Sequence, residues 1–111
     1  MNTSQAFEDA VARLRERFRE EANARLAEFL DHKAAVERGR DQSLALEGMI
    51  IQVHRVRGIA KTFGFADLGN IAEDLEEQLE ADRKTLPADQ AVVAAADKID
   101  LFVAKMREIA I

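Results

Sequence analysis

The chain has 111 residues, a hydrophobic fraction of 48%, a charged fraction of 33% and a formal net charge of −5. That length suits a single domain over 1–111 with one modest core, and the composition is that of a folded chain. Cysteine is absent, which excludes disulfides and thiolate metal sites. The acidic balance and the lack of tryptophan and tyrosine argue against a nucleic-acid partner, which needs a basic face and a stacking platform.

Residues 1–8 are too polar for a secretory leader, and no run approaches the ~20 apolar residues that cross a bilayer. The expectation is a cytoplasmic protein with no membrane partner. One proline, five glycines and a wealth of alanine, leucine, glutamate and arginine favour helix throughout.

The first helix is predicted over about Ser4 to Arg38. Phe7, Val11, Leu14, Phe18, Ala22, Leu26 and Phe29 recur at three- and four-residue steps as one apolar stripe. The pattern leaves open whether this helix kinks or splits near Asn23. Gly39 is a natural stop. Asp41 or Ser43 can cap a second helix reaching about Phe63. Its stripe is Leu46, Met49 or Ile50, Val53, Val56, Ala60 and Phe63.

Gly64 ends that helix, and Asp67 is the expected N-cap of a third, from about Leu68 to Lys84, burying Leu68, Ile71, Ala72, Leu75 and Leu79. Thr85-Leu86-Pro87 breaks the chain, with Pro87 suited to the first turn of a fourth helix. Val92, Val93, Ala96, Ile99, Phe102, Val103, Met106 and Ile109 carry that helix to the C-terminus. Short connections force antiparallel neighbours, so the expected fold is an all-α, antiparallel up-down four-helix bundle, acting as a monomer.

The chemistry-bearing stretch is His54-Arg55-Val56-Arg57-Gly58, followed by Lys61 and Phe63-Gly64-Phe65. On a helix His54 shares a face with Arg57, Gly58 and Lys61. Val53 and Val56 belong to the buried stripe, which puts His54 at its margin with a ring nitrogen reachable from solvent. Gly58 costs about 1 kcal/mol against alanine in a helix interior, and it leaves bare backbone one turn from the imidazole. Arg57 and Lys61 can supply positive charge to an anion held there.

A hairpin count adds a partner. The second and third helices turn near residues 65–66, so the position level with His54 falls near residue 77. Glu76 and Glu77 stand there, with Glu73 one turn nearer the loop. Glu76, next to the core residue Leu75, is the better placed to orient the imidazole as a nucleophile. Each feature also has a plain reading: a boundary histidine, a glycine at a close helix contact, charges on a solvated face.

Together, His54, Arg57, Gly58, Gly64 and Leu68 resemble the histidine-containing phosphotransfer (HPt) domain. That family's pattern is a histidine with a basic residue three on, glycines four and ten on, and a leucine fourteen on. The Thr62-Phe63-Gly64-Phe65 run, and Glu76 twenty-two residues after His54, look most like the phosphotransfer domain of chemotaxis-type histidine kinases.

The resemblance implies that His54 Nε2 takes a phosphoryl group from a histidine kinase or hybrid kinase and passes it to a receiver aspartate of a response regulator. Glu76 would orient the imidazole, Arg57 and Lys61 would assist the phosphate, and Gly58 and Arg55 would form the docking surface, with Ile51, one turn before His54, either a further docking residue or part of the core. The chain would hold no cofactor and no ATP site of its own, being a phosphocarrier and not an enzyme. The Mg²⁺ would sit in the partner receiver.

Two positions depart from the family pattern. Arg57 replaces the commoner lysine, and Ile59 stands where a small residue is usual, either reshaping the docking surface or packing into the bundle.

Three competing classes remain. A kinase dimerisation domain would place an acid after the histidine and then a proline, whereas Arg55 stands next here and the first proline is Pro87. A helical adaptor would leave His54 incidental. Metal binding at His32, with Asp31 and Glu28, lacks a committed ligand set. The start at Met1 and the absence of a trailing linker favour a free-standing shuttle over a piece of a longer kinase.

Overall fold

The computed structural model describes residues 3–111, and these are all-helical. The helices are α1 (Thr3–Glu37), α2 (Gln42–Thr62), α3 (Ala66–Asp82), α4 (Ala88–Ala94) and α5 (Ala96–Ile109). Five helices therefore stand where the apolar pattern predicts four. The fourth predicted helix is interrupted at Ala95, whose backbone sits at φ −94°, ψ 7°. Beside it the Ala94 carbonyl accepts a hydrogen bond from Gln78 Nε2 of α3 at 2.8 Å, so a side chain satisfies a backbone acceptor at the break. The interruption also shifts the buried set. Ala91, Val92 and Ala95 are buried, while Val93 and Ala96 face solvent, against the predicted stripe.

α1 runs without a break through Asn23. Its 35 residues make a rod of about 52 Å, which sets the long axis of a molecule measuring 55 × 22 × 21 Å. Arg19 Nε donates to the Ile109 carbonyl at 3.0 Å, and the Ile111 amide donates to the Arg19 carbonyl at 3.3 Å. The end of α5 is thus level with Arg19, and the first turns of α1 extend beyond it. Phe7 is accordingly 69% exposed and Leu14 44% exposed, with Val11 half-buried. The predicted stripe is buried from Phe18 onward only, because burial requires an opposing helix.

The two glycine stops act as expected, each at positive φ. At Gly39 (φ 74°) the Arg40 amide donates to the Ala35 carbonyl at 2.9 Å and the Gly39 amide to the Val36 carbonyl at 3.1 Å, the paired bonds of a Schellman end. At Gly64 (φ 83°) the Phe65 amide reaches back to the Ala60 carbonyl at 2.9 Å.

The predicted caps need correction. α3 starts at Ala66 with Phe65 at its N-cap, leaving Asp67 inside the first turn. Asp41 does occupy the α2 N-cap, but in the left-handed region and without a side-chain cap bond. Ser43 lies inside the helix, and Pro87 is the N-cap of α4, one position before its first turn.

The core joins Phe29 and Val36 of α1, Met49, Val53 and Val56 of α2, Leu68, Leu75 and Leu79 of α3, and Ile99, Phe102 and Met106 of α5. Phe63, Ile71, Val103 and Ile109, predicted as core, are half-buried. Phe29 and Phe102 meet with ring centroids 5.0 Å apart at 60°, a tilted geometry favoured by the ring quadrupoles. Truncation there should leave a cavity that rigid helices cannot close. Phe102→Ala is expected to cost about 3–5 kcal/mol in urea unfolding, and a loss below about 1 kcal/mol would contradict this packing.

Candidate functional site

α2 and α3 form the hairpin that builds the site. The short link between them, residues 63–65, is closed by Gly64 and makes the helices run in opposite directions. Their side-chain pairs show the register, with Lys61 meeting Glu73, Arg57 meeting both Glu73 and Glu76, and His54 meeting Glu76. Phe65 anchors the turn to α1. Its ring lies 5.4 Å from that of Phe18 and carries the Arg15 guanidinium at 4.9 Å.

His54 succeeds the fully buried Val53, so the backbone beneath the imidazole is fixed while its side chain remains 68% exposed. Nδ1 lies 2.7 Å from Glu76 Oε2. An ionised carboxylate can only accept, so Nδ1 carries the proton and donates it. Nε2 then holds the ring's free lone pair, and no other chain atom hydrogen-bonds the ring among the described residues. Glu76 itself is largely covered, at 13% exposure.

Beyond His54 the charges alternate towards the loop. Glu76 Oε1 accepts from Arg57 Nη1 at 3.1 Å, Glu73 Oε1 accepts from Arg57 Nη2 at 3.1 Å, and Glu73 Oε2 accepts from Lys61 Nζ at 2.5 Å. The hydrogen bond from Lys61 holds the Glu73 carboxyl below the usual carboxylate range, with the nearby charges of Lys61 and Arg57 assisting. The Arg57 guanidinium is pushed above its ordinary value, chiefly by its hydrogen bond to Glu76. Gly69 explains the aim of Lys61. A Cβ at Gly69 would lie 2.8 Å from Lys61 Cγ, so the bare glycine backbone seats the lysine stem one turn before Glu73.

The structure thus brings four predicted site residues together: His54, Glu76, Arg57 and Lys61. It turns Arg57 and Lys61 towards α3 carboxylates, not towards the free nitrogen of His54. Glu73 joins Arg57 to Lys61 in this chain of ion pairs, a role its place in the sequence pattern does not single out. A signal for it exists, since the hairpin count that puts Glu76 beside His54 also puts Glu73 near Arg57.

Gly58 is exposed, and a Cβ built there meets nothing within 4 Å. It therefore marks open surface, not a close helix contact. Ile51 is 41% exposed and Arg55 is exposed, both bordering a shallow depression with His32, Leu44, Gly48 and Gln52. Ile59 packs half-buried against the core, so the bulky residue at this position is a bundle residue. His32 lies over Gly48, and Glu28 accepts a hydrogen bond from the buried Gln52 at 2.7 Å. Among the described residues no three His, Cys, Asp or Glu side chains gather to hold a metal, and no helix is long and apolar enough to cross a membrane.

The family model described as Hpt domain matches residues 13–109. The chain belongs to the Hpt domain family. No curated protein and no solved structure matched it. Hpt domains are phosphocarriers that exchange phosphoryl groups with histidine kinases and receiver domains in phosphorelays. The match begins at Arg13, so the exposed first turns of α1 lie outside the family's common part.

Proposed function

We propose that this Hpt domain carries a phosphoryl group on Nε2 of His54 from a histidine kinase or hybrid kinase to the receiver aspartate of a response regulator. The observation that carries the reading is the exposed imidazole whose Nδ1–H is held by Glu76 at 2.7 Å. In the loading step the Nε2 lone pair forms an N–P bond as the donor's P–O bond breaks. The donor carboxylate or ADP leaves with the bonding electrons. The Nδ1 proton stays on the ring, and Glu76 balances the positive charge that the imidazole gains.

In the unloading step a receiver carboxylate oxygen attacks phosphorus and the imidazole leaves with its electron pair. The receiver contributes the Mg²⁺, and this chain has no nucleotide site of its own. The kinship with chemotaxis-type phosphotransfer domains is supported by Thr62-Phe63-Gly64-Phe65 and by the placement of Glu76. In this reading α4 and α5 together form the fourth layer of an antiparallel four-helix bundle, a cytoplasmic monomer.

The test is phosphorylation by a panel of active histidine kinases with radiolabelled ATP, and then transfer to receivers. The expected label is acid-labile and base-stable. A folded protein that accepts label from no donor would leave the helical-adaptor reading with an incidental His54.

Receiver docking over Gly58, beside Ile51 and Arg55, gives a separate prediction. Gly58→Ala should raise stability by about 0.5–1 kcal/mol, since the new methyl meets nothing. Gly58→Trp should stay folded, yet slow transfer to the receiver while leaving the protein's melting temperature within a few degrees of the parent. Transfer at the parent rate in Gly58→Trp would remove Gly58 from the docking surface.

A further inference from the structure

Glu73 forms and breaks no bond in the transfer, yet it holds Arg57 and Lys61, the two cations on the His54 side of the hairpin. Arg57, Lys61, Glu73 and Glu76 form one continuous ladder whose four charges sum to zero. A phosphoryl group adds about −2 charges on the free nitrogen, one helical turn from Arg57. Arg57 and Lys61 cannot pair fully with that group while Glu73 accepts a hydrogen bond from each of them, at 3.1 and 2.5 Å.

The seating of the Lys61 stem on Gly69 favours the glutamate-bound position. We propose that Glu73 is a positioning residue that competes with the phosphoryl group for Arg57 and Lys61, and so limits the lifetime of phosphorylated His54. The inference rests on His54 being the phosphoacceptor, and it concerns the fate of the group once loaded.

The phosphorylated state is lost when water attacks phosphorus, the N–P bond breaks and the imidazole leaves with its electron pair. Cations paired with the phosphoryl oxygens hold the group in its ground state. Glu73 withholds them. Removing its charge should therefore lengthen the lifetime. All three side chains are partly exposed, Arg57 at 31%, Glu73 at 30% and Lys61 at 42%, so the effect should be moderate and sensitive to salt.

The experiment measures the half-life of the phosphorylated protein, without receiver, in the parent, Glu73→Gln and Glu73→Asp. The half-life should be about three- to tenfold longer in Glu73→Gln at low salt, with the difference shrinking in about 1 M salt. Glu73→Asp, which keeps the charge, should return towards the parent. In an Arg57→Gln/Lys61→Gln background, Glu73→Gln should change nothing, because the residue acts through those cations.

Equal half-lives in the parent and Glu73→Gln would overturn the proposal. So would an effect of Glu73→Gln that persists when both cations are gone. Failure of the parent to take up label at all would instead overturn the phosphoacceptor assignment, so the two failures are distinct. A circular dichroism spectrum identical to the parent's establishes that each surface variant is folded.

Discussion

His54→Gln is expected to abolish uptake of label from every kinase that phosphorylates the parent, while melting at the same temperature within about 2 °C. The imidazole is 68% exposed and contributes no apolar contact to the core. Its hydrogen bond goes to Glu76 across a partly solvated edge. Glutamine offers an amide that can still donate to Glu76, so the hairpin is preserved. An amide nitrogen has no nucleophilic lone pair, however, and cannot form a stable bond to phosphorus.

His32 supplies the internal control. It lies over Gly48 and hydrogen-bonds no carboxylate among the described residues, and His32→Gln should keep full phosphoacceptor capacity. Label retained in His54→Gln and lost in His32→Gln would move the site to α1.

The parts of this structure that read clearly from sequence are those decided by local chemistry. Gly39 and Gly64 mark helix ends because each takes a positive φ that closes the preceding turn. The stripe through Leu46, Met49, Val53, Val56 and Ala60 is buried as its spacing predicts. The placement of Glu76 beside His54 comes from counting equal rises on either side of a short link, a consequence of helix geometry alone.

The features that local chemistry leaves undecided depend on tertiary context. The exposure of Phe7 and Leu14 depends on where α5 ends, information that α1 does not contain. At the break beside Ala95 the Ala94 carbonyl is met by Gln78 from another helix, in a stretch whose own residues are good helix formers. The destination of Arg57 and Lys61 is of the same kind. Their spacing puts them on the face of His54, but the carboxylates of α3 determine where they point. In the sequence Glu73 is one acid in an acidic run, and only the folded hairpin distinguishes it from Asp74 and Glu77, which are exposed.

Glu76→Ala should slow phosphoryl uptake by about 10- to 100-fold without unfolding the protein. At 2.7 Å the carboxylate accepts from Nδ1–H, and in the proposed transfer it offsets the positive charge the ring acquires as the N–P bond forms. Without it the imidazole can carry its proton on either nitrogen, and molecules protonated at Nε2 present no lone pair to phosphorus. The substitution also strips Arg57 of one of its two acceptors, leaving Glu73 to hold the guanidinium.

Orientation and charge are separable with Glu76→Gln, whose side-chain carbonyl can still accept from Nδ1–H but carries no charge. Its rate should lie between those of the parent and the alanine variant. Nitrogen-15 shifts of the His54 ring report the tautomer directly. They should show a predominantly Nδ1-protonated ring in the parent and a mixture in Glu76→Ala. A ring whose tautomer is the same in both proteins would mean that Glu76 does not orient His54. A slowed reaction would then reflect charge alone, and Glu76→Gln would be as slow as Glu76→Ala.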